Sequence, residues 1–146
     1  MLIKRAGLAD LDELAPLFDA YREELTDVAA ARAFLDERIR RDESVIFLAV
    51  AEELAPDALG FTQLYPSFSS VSLKRLWVLN DLFVRPDARR QGVGRGLLER
   101  ARRWAVETQS KGLILSTATT NRQAQSLYES CGWRRDEESL HYVLLV

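Results

Sequence analysis

The sequence lacks the features that mark secreted and membrane proteins. Cys131 is its single cysteine, so no intrachain disulfide can form, and we expect a reducing, cytoplasmic location. The longest apolar run, residues 45–51, is far too short to span a bilayer, and residues 1–14 carry charges in place of a signal-peptide core. We therefore expect neither a membrane segment nor a membrane partner.

An excess of charge of one sign is also lacking. The 20 lysines and arginines against 22 aspartates and glutamates give a net charge of -2, so the overall field favours neither nucleic acid nor a membrane surface. No group of histidine, cysteine and aspartate has the spacing of a metal site, and we expect no metal. With 146 residues, 47% of them hydrophobic, the chain is expected to form a single globular domain over residues 1–146.

Apolar periodicity predicts a mixture of strands and helices. Spacings of three and four residues mark amphipathic helices, and short apolar or β-branched runs mark strands. The predicted strands cover residues 2–4, 45–51, 59–65, 77–84, 112–117 and 140–146, and the predicted helices cover residues 11–25, 28–41, 93–107 and 122–130. Residues 52–58 are expected to turn, and the polar residues 66–74 to form a loop. This order favours an α+β fold, with a mixed and mostly antiparallel sheet flanked by helices.

The most informative stretch is a loop, rich in arginine and glycine, that links a predicted strand to a predicted helix. Seven arginines lie from Arg85 to Arg103 against only Asp87 and Glu99, which is a local excess of positive charge. The first turn of a helix presents unpaired N–H groups and the positive end of the helix dipole, and glycine lets the backbone approach an anion closely. These residues predict a binding site for a polyanion.

The spacing of the glycines excludes two common phosphate-binding motifs. The dinucleotide-binding fingerprint needs a third glycine where this chain has Leu97, and no Gly-Lys-Ser/Thr follows the loop as it does in a nucleotide P-loop. The pattern that remains is Arg89-x-x-Gly92-x-Gly94, placed between a strand and a helix.

Two motifs in this order resemble those of the GCN5-related N-acetyltransferases, the GNAT family. Arg89, Gly92 and Gly94 match the family's pyrophosphate loop, Arg/Gln-x-x-Gly-x-Gly/Ala. Residues 121–133 are similar to the family's Asn-x-x-Ala-x-x-Leu-Tyr-x-x-x-Gly-Phe/Trp. The close match covers residues 77–133, and within the family the chain looks most like the diamine and thialysine acetyltransferase branch.

The resemblance implies an enzyme, an acetyl-CoA-dependent N-acetyltransferase that passes the acetyl group to a primary amine by direct attack in a ternary complex. The acceptor would be a small molecule or a peptide, and coenzyme A the second product. The implied fold has a sheet of about six or seven strands and about four helices. The residues implied to bind the cofactor are Leu82, Phe83, Val84, Arg89, Arg90, Gln91, Gly92, Val93, Gly94, Arg95, Asn121, Ala124 and Tyr128.

Two side chains are implied to move protons. Tyr128 would protonate the departing thiolate of coenzyme A; a core tyrosine with a satisfied hydroxyl is the common alternative. Asp81 would accept the proton of the amine, directly or through water; a strand carboxylate that caps a loop is about as well supported. The diamine branch has Glu-Asp where this chain has Asn80-Asp81, so the glutamate is missing. Asn121 fits an N-cap as well as a ligand, and both roles can hold at once.

Two other functions compete with the enzyme. A non-catalytic module that binds or senses acyl-CoA would need the same loop; Tyr128 argues against it, and the missing glutamate slightly favours it. Nucleic-acid binding through the arginine-rich helix is disfavoured by the overall acidity and by the lack of interleaved aromatic residues. Residues 143–146 would form an apolar edge strand, and from the resemblance we expect a homodimer.

Overall fold

The computed structural model describes residues 1–52, 54 and 57–146, apart from the side chain of Glu24. The chain divides into two compact units, Met1–Ser116 and Thr117–Val146. No helix in the described part of the chain is both long and apolar enough to cross a membrane.

The first unit alternates between strands and helices. Its strands are β1 (Leu2–Arg5), β2 (Val45–Val50), β3 (Ala58–Ser69), β4 (Lys74–Val84) and β5 (Leu113–Ile114). Its helices are α1 (Leu11–Tyr21), α2 (Val28–Arg40) and α3 (Val93–Glu107), with 3-10 turns at Leu8–Asp10, Glu23–Leu25 and Pro86–Ala88. Each helix and strand predicted in this unit is present, but the helix predicted at residues 11–25 ends at Tyr21, before a 3-10 turn, and the strand predicted at residues 112–117 is shorter.

The sheet follows the order of the chain from β1 to β5. The pairs β1–β2, β2–β3 and β3–β4 are antiparallel, whereas β5 is parallel to β4. Every residue of β2 is buried, because β2 lies between two strands and is covered on both faces. The α+β class and the mostly antiparallel sheet are confirmed, but the described residues form five strands where about six or seven were expected.

Helices cover both faces of the sheet, as alternate residues of β2 show. Ile46 and Leu48 belong to the core cluster that includes Leu14 and other residues of α1 and α2. The ring of Phe47, between them, lies 6.1 Å from the ring of Trp104 of α3. Because successive strand residues point to opposite faces, α1 and α2 cover one face of the sheet and α3 covers the other.

The region between β3 and β4 differs from its prediction. The prediction of a loop at residues 66–74 is wrong. β3 continues to Ser69, which pairs with Lys74 at the start of β4. The serines of this segment are typical of a loop. Here, however, β3 and β4 continue to pair with each other beyond the core, and their polar side chains can remain in water. The turn predicted at residues 52–58 lies partly outside the described residues, and Val50 and Ala58 on either side of it are paired.

The second unit contains α4 (Arg122–Ser130), with the predicted bounds. The prediction of a strand at residues 140–146 is wrong. The structure describes all of residues 134–146, and they form no helix or strand. An apolar run forms a strand only where a neighbouring strand takes up its hydrogen bonds. The side chains of residues 142–146 are instead largely exposed.

Candidate active site

A left-handed loop connects the end of β4 to the start of α3. After the 3-10 turn Pro86–Ala88 the chain passes through Arg90 and Gly92, whose φ angles are 62° and 82°. Gly92 is the residue before the first turn of α3, and its φ lies in the region that glycine adopts without a Cβ penalty. Since Gly92 has no side chain, the first N–H groups of α3 lack the usual capping acceptor.

The arginines of this segment differ in their partners. Arg85 is ion-paired from Nη1 to Oδ1 of Asp57 at 2.7 Å and from Nε to Oδ1 of Asp87 at 2.6 Å. Hydrogen bonds from Arg85 stabilise the ionised form of both carboxyls and lower the pKa of each. Arg89 donates from Nε to the last carbonyl of β4 at 2.9 Å, and Arg90 is exposed. Among the described residues, Arg85 is paired with carboxylates, whereas no ion pair is found for Arg89 or Arg90.

The second half of β4 has one edge that no described strand covers. β3 pairs with β4 along its length, but β5 pairs with it only at Trp77 and Val78. From Leu79 onward, no strand among the described residues lies on the β5 side of β4. Backbone groups on this edge can pair with an extended ligand as they would with an added strand. The predicted cofactor residues at positions 82–84 lie on this stretch.

A β-bulge decides which side chain of the Asn80-Asp81 pair enters the protein. Gln63 of β3 pairs with Asp81, but the next residue, Leu64, pairs with Leu79, so Asn80 is the extra residue. Cross-strand partners share a face of the sheet, so Asp81 lies on the same face as Gln63. Asp81 is only 4% exposed, whereas Asn80 is exposed.

Polar contacts surround the carboxylate of Asp81. Nε2 of Gln63 donates to Oδ2 at 2.7 Å, and Nδ2 of Asn80 donates to Oδ1 at 3.2 Å. Oγ1 of Thr62 donates to the backbone carbonyl of Asp81 at 2.8 Å. Burial, and after it the negative charge of Asp81, raises the pKa of Tyr65 to about 12. Both carboxylate oxygens thus accept from amide groups, which restricts the carboxylate to one orientation.

The N-terminus of α4 is capped from within the chain. Oδ1 of Asn121 accepts from the N–H of Ala124 at 3.2 Å, which confirms the predicted capping role. Nε2 of Gln125 donates to the carbonyls of Ala118 and Thr119, both at 3.1 Å, and ties the preceding loop to the helix. These bonds hold the start of α4 in place within the second unit.

The C-terminus of α4 explains the spacing of tyrosine, glycine and tryptophan in the second motif. The N–H of Trp133 donates to the carbonyl of Tyr128 at 3.0 Å, and the N–H of Gly132 donates to that of Glu129 at 3.1 Å, which is the bond pair of a Schellman motif. Gly132 supplies the left-handed residue that this motif needs, with φ of 89°. The rings of Tyr128 and Trp133 lie 6.0 Å apart. Burial raises the pKa of Tyr128, because it disfavours the charged phenolate.

The predicted site residues lie in two groups, one in each unit. The group in the first unit consists of Asp81, Leu82, Phe83, Val84, Arg89, Arg90, Gln91, Gly92, Val93, Gly94 and Arg95, which follow one another along β4, the loop and the start of α3. The group in the second unit consists of Asn121, Ala124 and Tyr128 on α4. Sequence reasoning missed Gln63 and Thr62, the partners of Asp81 on β3. Gln63 could have been noticed in the sequence, because it is a glutamine in the middle of an apolar predicted strand.

Comparisons with known proteins agree on one family. The model of the family described as "Acetyltransferase (GNAT) family" matches residues 11–133. The "Uncharacterized N-acetyltransferase YhfO" of Bacillus subtilis (strain 168) is 46% identical over 149 residues, which cover 100% of this chain and 98% of that protein. The protein in the crystal structure of "a probable acetyltransferase" is 50% identical to this chain. The two structures superpose with a TM-score of 0.95 over 100% of this chain and 98% of that one.

A further relative bears on the predicted branch. The "Thialysine N-epsilon-acetyltransferase" of Bos taurus is 28% identical over 87 residues, which cover 60% of this chain and 51% of that protein. The branch is therefore represented among the relatives, at lower identity and coverage than the bacterial protein. The predicted family is confirmed, and with it the prediction of an acetyl-CoA-dependent N-acetyltransferase. The chain belongs to the acetyltransferase (GNAT) family.

Proposed function

We propose that this chain transfers an acetyl group from acetyl-CoA to a primary amine by direct attack in a ternary complex, with residues 1–146 acting as one catalytic domain. The observation that carries the proposal is the loop that joins the open edge of β4 to a helix N-terminus without a side-chain cap. A strand edge and a cluster of N–H donors suit the extended arm and the pyrophosphate of acetyl-CoA respectively. The acceptor amine belongs to a small molecule or a peptide.

The pyrophosphate is proposed to bind at the first turn of α3. Serine, threonine, aspartate or asparagine usually occupies the N-cap, but Gly92 leaves that place open to an external anion. The guanidinium groups of Arg89 and Arg90 add charge-assisted hydrogen bonds. The residues proposed to contribute backbone or side-chain donors are Arg89, Arg90, Gln91, Gly92, Val93, Gly94 and Arg95.

The pantetheine arm is proposed to lie along the open edge of β4. Leu82, Phe83 and Val84 would offer their backbone groups as a neighbouring strand does. When bound, acetyl-CoA supplies an activated acetyl group as a thioester. A backbone N–H of this stretch is proposed to polarise the thioester carbonyl, which makes its carbon more electrophilic.

Asp81 and Tyr128 are proposed to move the protons. An ammonium has no lone pair, so Asp81, directly or through water, takes one proton before the nitrogen attacks the acetyl carbon. As the C–N bond forms and the C–S bond breaks, Tyr128 donates its phenolic proton to the sulfur, and it recovers a proton from the nitrogen through solvent. An ammonium and acetyl-CoA thus give an amide, coenzyme A and one released proton. The phenol enters the reaction protonated, and because burial raises its pKa, donation requires a hydrogen-bonded position close to the sulfur.

Helix α4 is proposed to serve the same reaction. Asn121, Ala124 and Tyr128 match the family's second motif, and the cap at Asn121 holds the helix start in place. Asn121 and Tyr128 lie seven residues apart, two helical turns, and therefore share one face.

We also propose that the protein is a cytoplasmic homodimer. The largely exposed side chains of residues 142–146 are all apolar apart from one tyrosine hydroxyl, and burial against a second copy would remove them from water. Light scattering at tens of micromolar tests the dimer, and a monomer at that concentration would contradict it.

Two measurements made together test the proposed activity. Isothermal titration with acetyl-CoA should show saturable binding, and a free-thiol assay over a panel of primary amines should show thiol release that depends on the amine. Binding without amine-dependent thiol release would indicate a non-catalytic acyl-CoA-binding module. Absence of binding would contradict the proposal as a whole.

A further inference from the structure

Gln63 is a fully buried polar residue in the middle of β3. Its side chain is 0% exposed, and its Nε2 donates to Oδ2 of Asp81 at 2.7 Å. The same side chain also hydrogen-bonds the hydroxyl of Tyr65, which slightly opposes the rise in the pKa of that phenol. Oε1 of Gln63 is buried and has no hydrogen-bond partner among the described residues.

The fold alone does not account for this glutamine. A buried amide oxygen without a partner is destabilising, and this cost opposes the gain from the hydrogen bond that the same side chain makes to Asp81. Apolar side chains could replace Gln63 and Asp81 together at little cost, whereas replacing Gln63 alone would leave the buried carboxylate of Asp81 short of a donor. The shortest polar contact of the amide is therefore the one it makes with the carboxylate of Asp81.

The carboxylate needs a donor from β3 to keep its orientation. The bulge at Asn80 places one donor, Nδ2 of Asn80, on Oδ1, but Asn80 is exposed and its bond is 3.2 Å long. Gln63 provides the shorter bond, from a buried strand position that its neighbours hold. Without it, the Asn80 contact is the one hydrogen bond among the described residues that would oppose rotation of the terminal carboxylate torsion, which is intrinsically soft.

We propose that Gln63 is a positioning residue for the reaction: its amide N–H fixes Oδ2 of Asp81 and thereby aims the carboxylate at the proton of the acceptor amine. This inference rests on the proposed role of Asp81 as the base. Among the described residues, the charges of Asp81 and of Arg38 in α2 both act on Tyr65 beside Gln63, and Arg38 is itself ion-paired with Glu37 and Glu43.

The experiment compares two buried neighbours on β3. Gln63→Met keeps the length of the side chain and removes both polar atoms. Thr62→Val, the control, also removes a hydrogen bond to Asp81, but one to its backbone carbonyl and not to its carboxylate. For each variant, kcat and the KM for the best amine are measured against pH, and acetyl-CoA affinity is measured by titration.

Gln63→Met should lower kcat by about 10-fold, since a displaced base loses near-attack geometry, and should leave acetyl-CoA affinity unchanged. The acid limb of its pH profile should move to higher pH, because the carboxylate loses a hydrogen bond that favours its charged form. Thr62→Val should leave that limb in place. In an Asp81→Asn background, Gln63→Met should cause no further loss, because its effect acts through the carboxylate.

A second readout does not depend on turnover. The side-chain amide signals of Gln63, identified by their loss in Gln63→Met, should change with pH in the wild-type protein and stay constant in Asp81→Asn. An unmoved pH profile in Gln63→Met, with turnover lost in Asp81→Asn, would overturn the inference and leave the proposed function standing. Amide signals that ignore pH, or follow it equally in both proteins, would overturn it whether or not an amine is acetylated.

Discussion

The two helices that carry the proposed cofactor residues begin in different ways. α3 follows Gly92, a left-handed residue with no side chain to cap the helix. α4 follows Asn121, whose Oδ1 accepts from the N–H of Ala124. One N–H of the first turn of α4 therefore has a side-chain acceptor within the chain, whereas Gly92 offers none to the first turn of α3.

The two helix starts also differ in charge: the segment before α3 is positively charged, and that before α4 is not. Arg89 and Arg90 precede α3, whereas the three residues before α4 are Thr119, Thr120 and Asn121, which are uncharged. A helix start with no side-chain cap, next to arginines for which the described residues offer no ion pair, suits an anion, while a cap such as Asn121 stabilises the helix itself. On this account α3 holds the anion, and α4 contributes chemistry through Tyr128.

The largest effect is expected from Tyr128 on α4. Tyr128→Phe removes a hydroxyl and keeps the ring that packs near Trp133. Turnover should fall by ~10²–10⁴-fold, the usual weight of general acid catalysis, and acetyl-CoA affinity should stay near that of the wild type. Higher pH should bring no recovery, because it does not replace a missing acid. Steady-state kinetics over a pH range measure this, and full activity in the variant would refute the acid role.

A change at the start of α3 should act on binding instead. Gly94→Glu places a carboxylate against the proposed pyrophosphate at the helix N-terminus and should weaken acetyl-CoA binding by about 100-fold or more. Gly94→Gln is the matched control, since it has the same shape without the charge and should cost much less. Isothermal titration of both, with a thermal melt to show that each is folded, gives the comparison. An equal loss in both variants would indicate a steric effect and not an anion site.

A smaller loss of turnover is expected at Asp81. Asp81→Asn removes the proposed base, and turnover near neutral pH should fall by about 10- to 100-fold. This loss is at or below the lower end of the usual range for general base catalysis. Raising the pH should restore part of the activity, because more of the amine is then already neutral. This response is opposite to that of Tyr128→Phe. A loss that does not depend on pH would contradict the assignment of Asp81 as the base.

The smallest effect is expected at the cap of α4. Asn121→Ala should reduce the free energy of unfolding by about 1 kcal/mol, because the N–H of Ala124 loses its acceptor, and Asn121→Asp should retain most of the stability. Denaturant melts measure the difference. If Asn121→Ala weakens acetyl-CoA binding as much as Gly94→Glu does, the proposed division of labour between the two helices is wrong.

Features that local sequence determines were predictable, and features that depend on distant partners were not. The Arg/Gly loop and α4 follow from residues close to one another, such as Gly92 before α3 and Asn121 before α4. The bulge at Asn80 depends on how β4 pairs with β3, so the sequence could not show that Asp81 faces Gln63. The strand predicted at residues 140–146 failed for the same reason, since a strand requires a partner that its own residues do not specify.

The most direct test of the account is the response of backbone amides to coenzyme A. In a nitrogen–proton correlation spectrum, the amides of residues 92–95 should shift saturably as coenzyme A is added, and the same shifts should vanish in Gly94→Glu. Inorganic pyrophosphate at higher concentration should move the same signals, because the site recognises that group. Saturable binding of coenzyme A with unmoved amides at residues 92–95 would contradict the claim that the start of α3 holds the pyrophosphate.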